Sequence, residues 1–340
     1  PGWADATAQS PTGRGSIAGE GATVSDGPRP SGLSGLSGLH PRRRWLLAGG
    51  LAAASACSPG ISLAWLGSAA AGAGWPEAAP LSRPPAGPAA ARTAWVFSSG
   101  GPRGFLHIGV LKGLAALGLR PDLLVGSSVG ALAGTLFAAG LDATRIETLA
   151  LSVQPWDLLR PNLRGPGWVS GGGIAELVRE SLGGRPLQEL PVPMACVAVR
   201  LDDRQVVAFT RGDAGLAVQA STAIEGRLAP VTIRGARYAD PDLHLPLPVR
   251  LARQLGATRV LAVDASAHED RAPPGAEAYR DSDRRKRELT LPDARLADVL
   301  LHPDTGYWAG WSRDYRARLI AAGEAAVQAQ AEALRRLHRA

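Results

Sequence analysis

The 340-residue sequence has few of the residues that build disulfide frameworks or metal centres. Its two cysteines, Cys57 and Cys196, are too few for a disulfide-stabilised scaffold. No cluster of Cys and His has the spacing of a metal site, and no repeat recurs at a fixed period. We therefore expect no metal, no cofactor and no repeat architecture. Cys196 lies in an apolar run over residues 194–199, which indicates a buried thiol.

Lysine is nearly absent as well. Of the 37 basic residues only Lys112 and Lys286 are lysines, so arginine supplies almost all of the positive charge. The net charge of +7 is spread along the chain and is not collected into a patch. Such an excess favours anionic surfaces, including phospholipid headgroups, and is weak evidence for nucleic acid. We expect no nucleic-acid partner, and nothing in the sequence predicts an oligomeric state.

The first 91 residues have the composition of targeting and linker sequence. Residues 1–39, rich in Gly and Ser, are predicted to be a disordered or non-native upstream segment. Residues 40–57 place three arginines before a short apolar run and small residues before Cys57, which is typical of a signal peptide and resembles a bacterial lipobox. Residues 58–91, rich in Ala, Gly and Pro, are predicted to be a tether.

This front region predicts an exported, membrane-associated protein, located in the bacterial cell envelope. Lipidation at Cys57 is one interpretation of the signal. A cleaved, non-lipidated signal and an uncleaved apolar anchor are the alternatives, because Ala54 stands where the lipobox pattern prefers Leu. The folded domain is predicted over residues 92–340.

Within residues 92–340, strand-like and helix-like segments alternate. Apolar runs over residues 95–98, 123–125, 194–201 and 259–264 predict buried strands, and helical spacing over residues 105–117 predicts a helix. This alternation is typical of an α/β layer fold with a mostly parallel central sheet flanked by helices. The polar residues 268–293 are predicted to be an exposed or disordered loop, and residues 311–340 a long amphipathic helix.

Residues 154–173 combine turn-forming residues with apolar side chains. The apolar members are Trp156, Leu158, Leu159 and Trp168. One interpretation is a loop that buries its own small apolar cluster. The other is a lid over an apolar pocket, a common role for a mobile loop in an enzyme.

The motif with the clearest chemistry is G-S-S-V-G at residues 126–130, between a predicted strand and a predicted helix. In this G-x-S-x-G setting the small neighbours allow a sharp turn that exposes the hydroxyl of Ser128. A serine hydroxyl becomes a useful nucleophile only when a base takes its proton and donors stabilise the oxyanion. The pattern therefore indicates a nucleophile at Ser128.

A glycine-rich turn lies one strand–helix unit earlier and offers oxyanion donors. It contains Gly100, Gly101, Arg103 and Gly104. The turn lacks the Lys of a phosphate-binding P-loop, and its spacing does not fit the G-x-G-x-x-G dinucleotide fingerprint. Backbone N–H groups of this turn are therefore candidates for an oxyanion hole that serves Ser128.

Together these motifs resemble the patatin-like phospholipases, which are three-layer α/β acyl hydrolases with a Ser-Asp dyad. The resemblance runs over residues 94–264 and includes S-G-G-P-R-G at 99–104, A-S-T-A-I at 220–224 and Y-A-D at 238–240. It implies that Ser128 attacks a phospholipid or other acyl-ester lipid, that Asp240 accepts the proton, and that the turn at residues 100–104 holds the oxyanion. A membrane surface is a further expected partner, as the net charge and the front region indicate.

The sequence departs from the family pattern on the side of the base. Asp-Gly-Gly becomes Asp240-Pro241-Asp242, Glu225 stands in place of Pro, and Ser99 replaces the first Gly of the glycine turn. Pro241 removes an N–H and biases Asp240 to an extended conformation. A catalytically degenerate, lipid-binding protein at the membrane is therefore an alternative function.

A Ser-Asp-His hydrolase is a third interpretation. It requires a downstream histidine, and three are available, at His244, His268 and His302. The lack of an HGGG-type oxyanion motif and the early position of the G-x-S-x-G motif argue against it. A fourth histidine, His107, lies on the helix after the glycine turn and is interpreted as a structural residue.

Overall fold

The computed structural model describes residues 77–79, 92–163 and 167–339. The predicted upstream segment, the signal-like segment with Cys57 and most of the predicted tether lie outside the described residues. The domain boundaries drawn from the sequence therefore stay predictions.

Among the described residues, the strands are β1 (Glu77–Ala79), β2 (Thr93–Phe97), β3 (Leu123–Ser127), β4 (Arg160–Pro161), β5 (Val169–Ser170), β6 (Met194–Arg200), β7 (Gln205–Arg211), β8 (Val231–Ile233), β9 (Ala236–Ala239), β10 (Arg259–Val263) and β11 (Val299–Leu301). The strands β4 and β5 form a small hairpin. The others form one sheet in the order β1-β7-β6-β3-β2-β10-β11, with β9 pairing to β6 and β8 to β9. Five adjacent strands of this sheet are mutually parallel, namely β6, β3, β2, β10 and β11. This confirms the predicted mostly parallel sheet.

The side chains of the central strands alternate between two apolar layers. In β2, Trp95 and Phe97 pack into one layer, whereas Ala94 and Val96 pack into the other. Successive side chains of a strand point to opposite faces, so a strand buried on both faces must be apolar throughout. This explains why the sequence shows continuous apolar runs, and it gives the three-layer arrangement of helices on both sides of the sheet.

The helices are α1 (Phe105–Ala116), α2 (Val129–Ala138), α3 (Ala143–Ser152), α4 (Gly172–Leu182), α5 (Ala214–Ser221), α6 (Val249–Gln254), α7 (Arg280–Ala294), α8 (Arg313–Ala329) and α9 (Ala331–Arg339). Helices α1 and α8 cross at very close range, since a Cβ added to Gly109 would lie 1.8 Å from the carbonyl oxygen of Ile320. This contact holds the helix that follows the glycine turn. In the part of the chain that the structure describes, no helix has the length and hydropathy needed to cross a bilayer.

Three local predictions differ from the structure. The prediction of a loop over residues 268–293 is wrong, because α7 occupies most of that segment. Its apolar residues are too few to show helical spacing, and the helix is held by buried polar groups, among them Asp293, which pairs with Arg250. The predicted C-terminal helix is divided into α8 and α9, and residues Glu77–Ala79 of the predicted tether pair with the sheet edge at β7.

Candidate active site

Ser128 occupies a strained turn between β3 and α2. Its backbone angles are φ 54° and ψ −124°, a conformation that L-residues rarely adopt. The glycines on either side make the turn possible. A Cβ on Gly126 would lie 2.5 Å from the backbone N of Ala131, and one on Gly130 would lie 2.4 Å from the carbonyl oxygen of Phe97. The G-x-S-x-G spacing is therefore a steric requirement of this turn.

Asp240 reaches the same place from the other direction. The last residue of β3 pairs with Val197 of β6, and the last residue of β9 pairs with Val199 on the same edge. Since β3 runs parallel to β6 and β9 runs antiparallel to it, the ends of the two strands point toward each other. The residues that follow them, Ser128 and Asp240, meet in the gap between the strand ends.

The two side chains are in direct contact. The hydroxyl Oγ of Ser128 donates to Oδ2 of Asp240 at 2.6 Å, and both residues are buried. The backbone holds each partner in place, because Ser128 N donates to Oγ of Ser221 at 2.9 Å and Asp240 N donates to the carbonyl of Ala223 at 2.9 Å. The structure thus brings together the serine and the carboxylate that the sequence pairs.

The Asp-Pro-Asp sequence forms a turn that suits this geometry. Residues Pro241–Leu243 form one turn of 3-10 helix, and Asp240 precedes it with an extended backbone, as expected before a proline. Oδ1 of Asp240 accepts the backbone N–H of Asp242 at 2.9 Å, and Pro241 occupies the first helical position, where an N–H is dispensable. The turn at Pro241 therefore orients the side chain of Asp240 so that Oδ2 remains available to Ser128.

The pKa values of the two carboxylates in this turn shift in opposite directions. Burial, together with repulsion from Asp242, raises the pKa of Asp240 to about 7. Burial would also raise the pKa of Asp242, but attraction to Lys286 and hydrogen bonds from Lys286 and Ser99 outweigh it, so that pKa lies below its usual value. Asp240 is therefore a carboxylate with the basicity of a histidine.

The glycine turn lies directly against the serine turn. Gly101 has φ +53°, and Gly101–Gly104 form one turn of 3-10 helix that leads into α1. A Cβ added to Gly104 would lie 2.3 Å from Cγ1 of Val129, so glycine is needed there for close contact. Gly101 and Val129 begin the 3-10 turn and α2 respectively, and the first N–H groups of a helix have no acceptor within it.

Two predicted members of the glycine turn serve its own structure. The backbone N–H of Arg103 donates to the carbonyl of Gly100 at 3.1 Å, so this N–H is engaged within the turn. The guanidinium of Arg103 donates to the carbonyl of Tyr307, which ties the turn to the chain after β11. The contact to Tyr307 gives the Arg103 side chain a structural role.

The fit between Gly104 and Val129 provides a test of the glycine turn. We expect Gly104→Ala to lower kcat of ester hydrolysis by about 10²-fold with little change in KM, because the added methyl pushes the donors away from Ser128. Steady-state kinetics measure the effect. Gly118→Ala is the control: its Cβ would meet nothing within 4 Å, and its φ of +70° introduces a backbone strain that Gly104, with φ −64°, does not have. An equal loss in both variants would show that general destabilisation, and not donor displacement, is responsible.

An apolar cavity of about 110 Å³ opens beside Gly101, Gly104 and Val129. Its walls come from α1, α2, α3, α4 and the segment after α3, and include Ile108, Leu132, Leu136, Ile146, Leu149 and Leu158. Such a cavity suits a hydrocarbon chain whose carbonyl end lies at the glycine turn. Residues 154–158 therefore cover an apolar pocket, as in the lid interpretation, although Trp156 and Trp168 are themselves exposed.

None of the histidines among the described residues hydrogen-bonds to Ser128. His302 hydrogen-bonds to Ser266, its Nε2 lies 3.8 Å from Oδ2 of Asp264, and its ring stacks on His268 at a centroid distance of 3.9 Å. Burial lowers the pKa of His107 to about 4, and its Nε2 donates to the carbonyl of Ser98 at 2.9 Å. This contact agrees with the structural role predicted for His107.

Glu225 takes no part in the contact between Ser128 and Asp240. The two oxygens of its carboxylate accept hydrogen bonds from Nη1 of Arg204, at 2.8 and 2.9 Å, on an exposed part of the surface. Within the described part of the chain, no group of three or more His, Cys, Asp or Glu side chains has the arrangement of a metal site.

Two residues of the site were missed in the sequence. Ser221, which accepts the N–H of Ser128, lies in the A-S-T-A-I run, but the motif alone gives it no contact. Lys286, which donates to Asp242 at 2.6 Å, lies in the segment predicted to be a loop. Its one available signal was its rarity, as one of two lysines in the chain.

Part of the chain is similar to known proteins. Residues 95–253 match the family model of the patatin-like phospholipases. An uncharacterized NTE family protein of Mycobacterium bovis is 34% identical over 185 residues, which are 54% of this chain and 51% of that protein. Lysophospholipase NTE1 of Debaryomyces hansenii is 26% identical over 184 residues, 52% of this chain and 12% of that protein.

The chain therefore spans about half the length of the mycobacterial relative. Among solved structures, VipD from Legionella pneumophila aligns with a TM-score of 0.49 and 14% identity, over 78% of this chain and 70% of that chain. The matched family region contains the serine turn, the glycine turn and Asp240. Residues 95–253 are thus similar to the patatin-like phospholipases.

Proposed function

We propose that the protein is a serine acyl hydrolase that cleaves acyl esters of lipids with a Ser128–Asp240 dyad. The observation that carries this proposal is the 2.6 Å hydrogen bond from Oγ of Ser128 to Oδ2 of Asp240, formed at a strained serine turn. The raised pKa of Asp240, about 7, supports it further, because a general base works best when its pKa lies near the working pH.

In the proposed mechanism, Asp240 takes the proton of Ser128 as Oγ attacks the ester carbonyl. The negative charge that develops on the carbonyl oxygen is stabilised by N–H groups of Gly101 and Val129 and by the amino-terminal end of α2. Protonated Asp240 then gives its proton to the leaving alcohol, and an acyl-serine remains. Asp240 next takes a proton from water as the water oxygen attacks the acyl carbonyl. The bond between the acyl carbon and Oγ of Ser128 then breaks, Asp240 returns the proton to Oγ, and the fatty acid leaves.

The substrate class follows from the apolar cavity and from the family. The cavity next to the glycine turn accepts an acyl chain and offers almost no polar contact, so we propose that it holds the hydrocarbon part of a lipid. The relatives named lysophospholipase make a single-chain phospholipid the first substrate to test.

The test is fatty-acid release from lysophosphatidylcholine, phosphatidylcholine and p-nitrophenyl butyrate by wild type and Ser128→Ala. We expect wild type to release acid from at least one of them, and the variant from none. A wild type that binds these lipids but releases no acid would overturn the proposal and support the degenerate, lipid-binding alternative.

We also propose that the protein works at a membrane surface, as the sequence indicates. Trp156 is 69% exposed, Trp168 is 91% exposed and Leu163 is 93% exposed, on the segment that continues from the cavity wall. Tryptophans prefer the membrane interface, where an apolar ring and a polar N–H are both accommodated. We propose that these exposed side chains meet the membrane and that the lipid enters the cavity from this side.

Vesicle binding tests this surface. We expect the Trp156→Ser and Trp168→Ser double variant to bind phosphatidylcholine–phosphatidylglycerol vesicles at least about tenfold more weakly than wild type, since two aromatic rings lose their burial in lipid. Vesicle co-sedimentation gives the measurement. The control is Leu296→Ser, which changes another exposed apolar side chain, 47%, just before the edge strand β11. Equal losses in both variants would contradict the proposed surface.

Export and lipidation at Cys57 complete the proposed cellular role. They rest on residues 40–57, which lie outside the described residues. Metabolic labelling with palmitate is expected to mark the wild-type protein and not Cys57→Ala. A label that persists in the variant would contradict lipidation at Cys57.

A further inference from the structure

Asp242 joins three segments that are far apart in the sequence. Its carboxylate accepts the hydroxyl of Ser99 and, at 2.6 Å, the ammonium of Lys286. Its backbone N–H donates to Oδ1 of Asp240 at 2.9 Å. The glycine turn, the turn of the base and α7 therefore converge on one side chain.

Two departures from the family pattern form this junction. Ser99 stands where the glycine turn of the family has its first Gly, and Asp242 stands where the turn of the base has its last Gly. In the structure they contact each other. Ser99 is fully buried, and its backbone N–H donates to the carbonyl of Pro246 at 2.9 Å, so the hydroxyl has a fixed position. The two changes are thus parts of one structure.

Two charged side chains act on the Asp240 carboxylate, one negative and one positive. Asp242 repels the Asp240 carboxylate, while Lys286 of α7 attracts both carboxylates. Arg103 of the glycine turn attracts Asp242 as well. The ion pair of Asp242 and Lys286 is partly shielded from water, with side chains 35% and 18% exposed, so the charge balance acts on Asp240 at short range.

We propose that Asp242 is a positioning residue that, through Ser99, fastens the glycine turn to the base and, with Lys286, sets the charge that Asp240 experiences. The role rests on the hydrolase function proposed above. Removal of the Asp242 charge relieves Asp240 of repulsion, whereas removal of Lys286 takes away the cation that attracts Asp240 and leaves only Arg103 to attract Asp242. The two changes must therefore act on the basicity of Asp240 in opposite directions.

The first experiment compares pH profiles of kcat/KM for wild type, Asp242→Asn, Lys286→Met and the double variant. We expect the acid limb of Asp242→Asn to move to lower pH by about 1 unit, and that of Lys286→Met to move to higher pH by about 1 unit. The double variant returns close to wild type. Lys112→Met, a change of the other lysine of the chain, which pairs with Glu147 and Glu324, leaves the limb in place.

The proposal would be overturned if the acid limbs of Asp242→Asn and Lys286→Met moved in the same direction, or if both variants lost activity without any movement of the limb. A purely structural role predicts no difference in sign between removing the negative and removing the positive charge. Lys286→Arg is expected to restore the wild-type limb, since it keeps the cation. Circular dichroism identifies a variant that fails to fold, and the conservative Asp242→Asn and Lys286→Arg then decide the question.

Thermal unfolding gives a second readout that does not depend on catalysis. At pH 8 we expect Lys286→Met to lower Tm in the presence of Asp242 and to have little effect beside Asn at position 242. Equal effects in both backgrounds would overturn the charge relation. A wild type that hydrolyses no ester would refute the proposed function, whereas this cycle still measures the pairing of Asp242 with Lys286.

Discussion

The Asp240→Asn variant is expected to hydrolyse an acyl ester about 10⁴-fold more slowly than wild type. The amide keeps the shape of the side chain but cannot take the proton of Ser128, and loss of a general base typically costs up to this factor. No histidine among the described residues hydrogen-bonds to Ser128 to replace it. The measurement is kcat on a soluble ester, with the concentration of folded protein checked by circular dichroism.

The pH dependence of kcat/KM provides a second test of the role of Asp240. Asp240 must be unprotonated to accept a proton, so wild-type kcat/KM should rise with pH and level off above about 7, the raised pKa of Asp240. In Asp240→Asn this limb should disappear. A residual activity that still rises through pH 7 would assign the base to another group.

The raised pKa also means that ionised Asp240 lowers the stability of the folded protein. Because the folded state holds the proton more tightly than the unfolded state, this carboxyl loses stabilising effect as pH rises from about 4 through about 7. We therefore expect Asp240→Asn to have a higher Tm than wild type at pH 8, and a smaller difference at pH 4. Asp293→Asn, which removes an equally buried carboxylate paired with Arg250, should instead lower Tm and keep kcat.

The Ser128→Ala variant is expected to lose about 10⁶-fold in kcat, since a nucleophile and its base act as one unit. Ser127→Ala is the matched control within the same motif. The hydroxyl of Ser127 donates to the carbonyl of Leu245 at 2.9 Å and does not contact Asp240. We expect Ser127→Ala to lower Tm and to change kcat by less than about tenfold. Comparable losses of activity in the two variants would contradict the assignment of Ser128.

Much of the fold and of the nucleophile side could be predicted from the sequence, because local rules determine them. Continuous apolar runs identify strands buried on both faces, and the glycines at 126 and 130 identify a turn that no larger residue permits. The pairing of Ser128 with Asp240, 112 residues apart, followed from the family resemblance. Its geometric reason, that β3 and β9 meet end to end along β6, is visible only in the sheet.

The contacts of the turn at residues 240–242 could not be predicted from the sequence, because these residues act through tertiary contacts. The sequence indicates that Pro241 removes an N–H and that Asp242 adds a charge, and both changes point to a damaged site. In the structure the proline falls where an N–H is dispensable, and Lys286 compensates the charge of Asp242. Lys286 lies in α7, whose charged sequence shows no apolar stripe, so neither the helix nor its contact was predictable.

The most direct test of the Ser128–Asp240 dyad is labelling with a fluorophosphonate at pH 8, followed by mass spectrometry of the intact and digested protein. We predict one adduct per chain, located on Ser128, absent in Ser128→Ala and formed much more slowly in Asp240→Asn. A wild-type protein that remains unlabelled, or an adduct that persists in Ser128→Ala, would contradict the dyad.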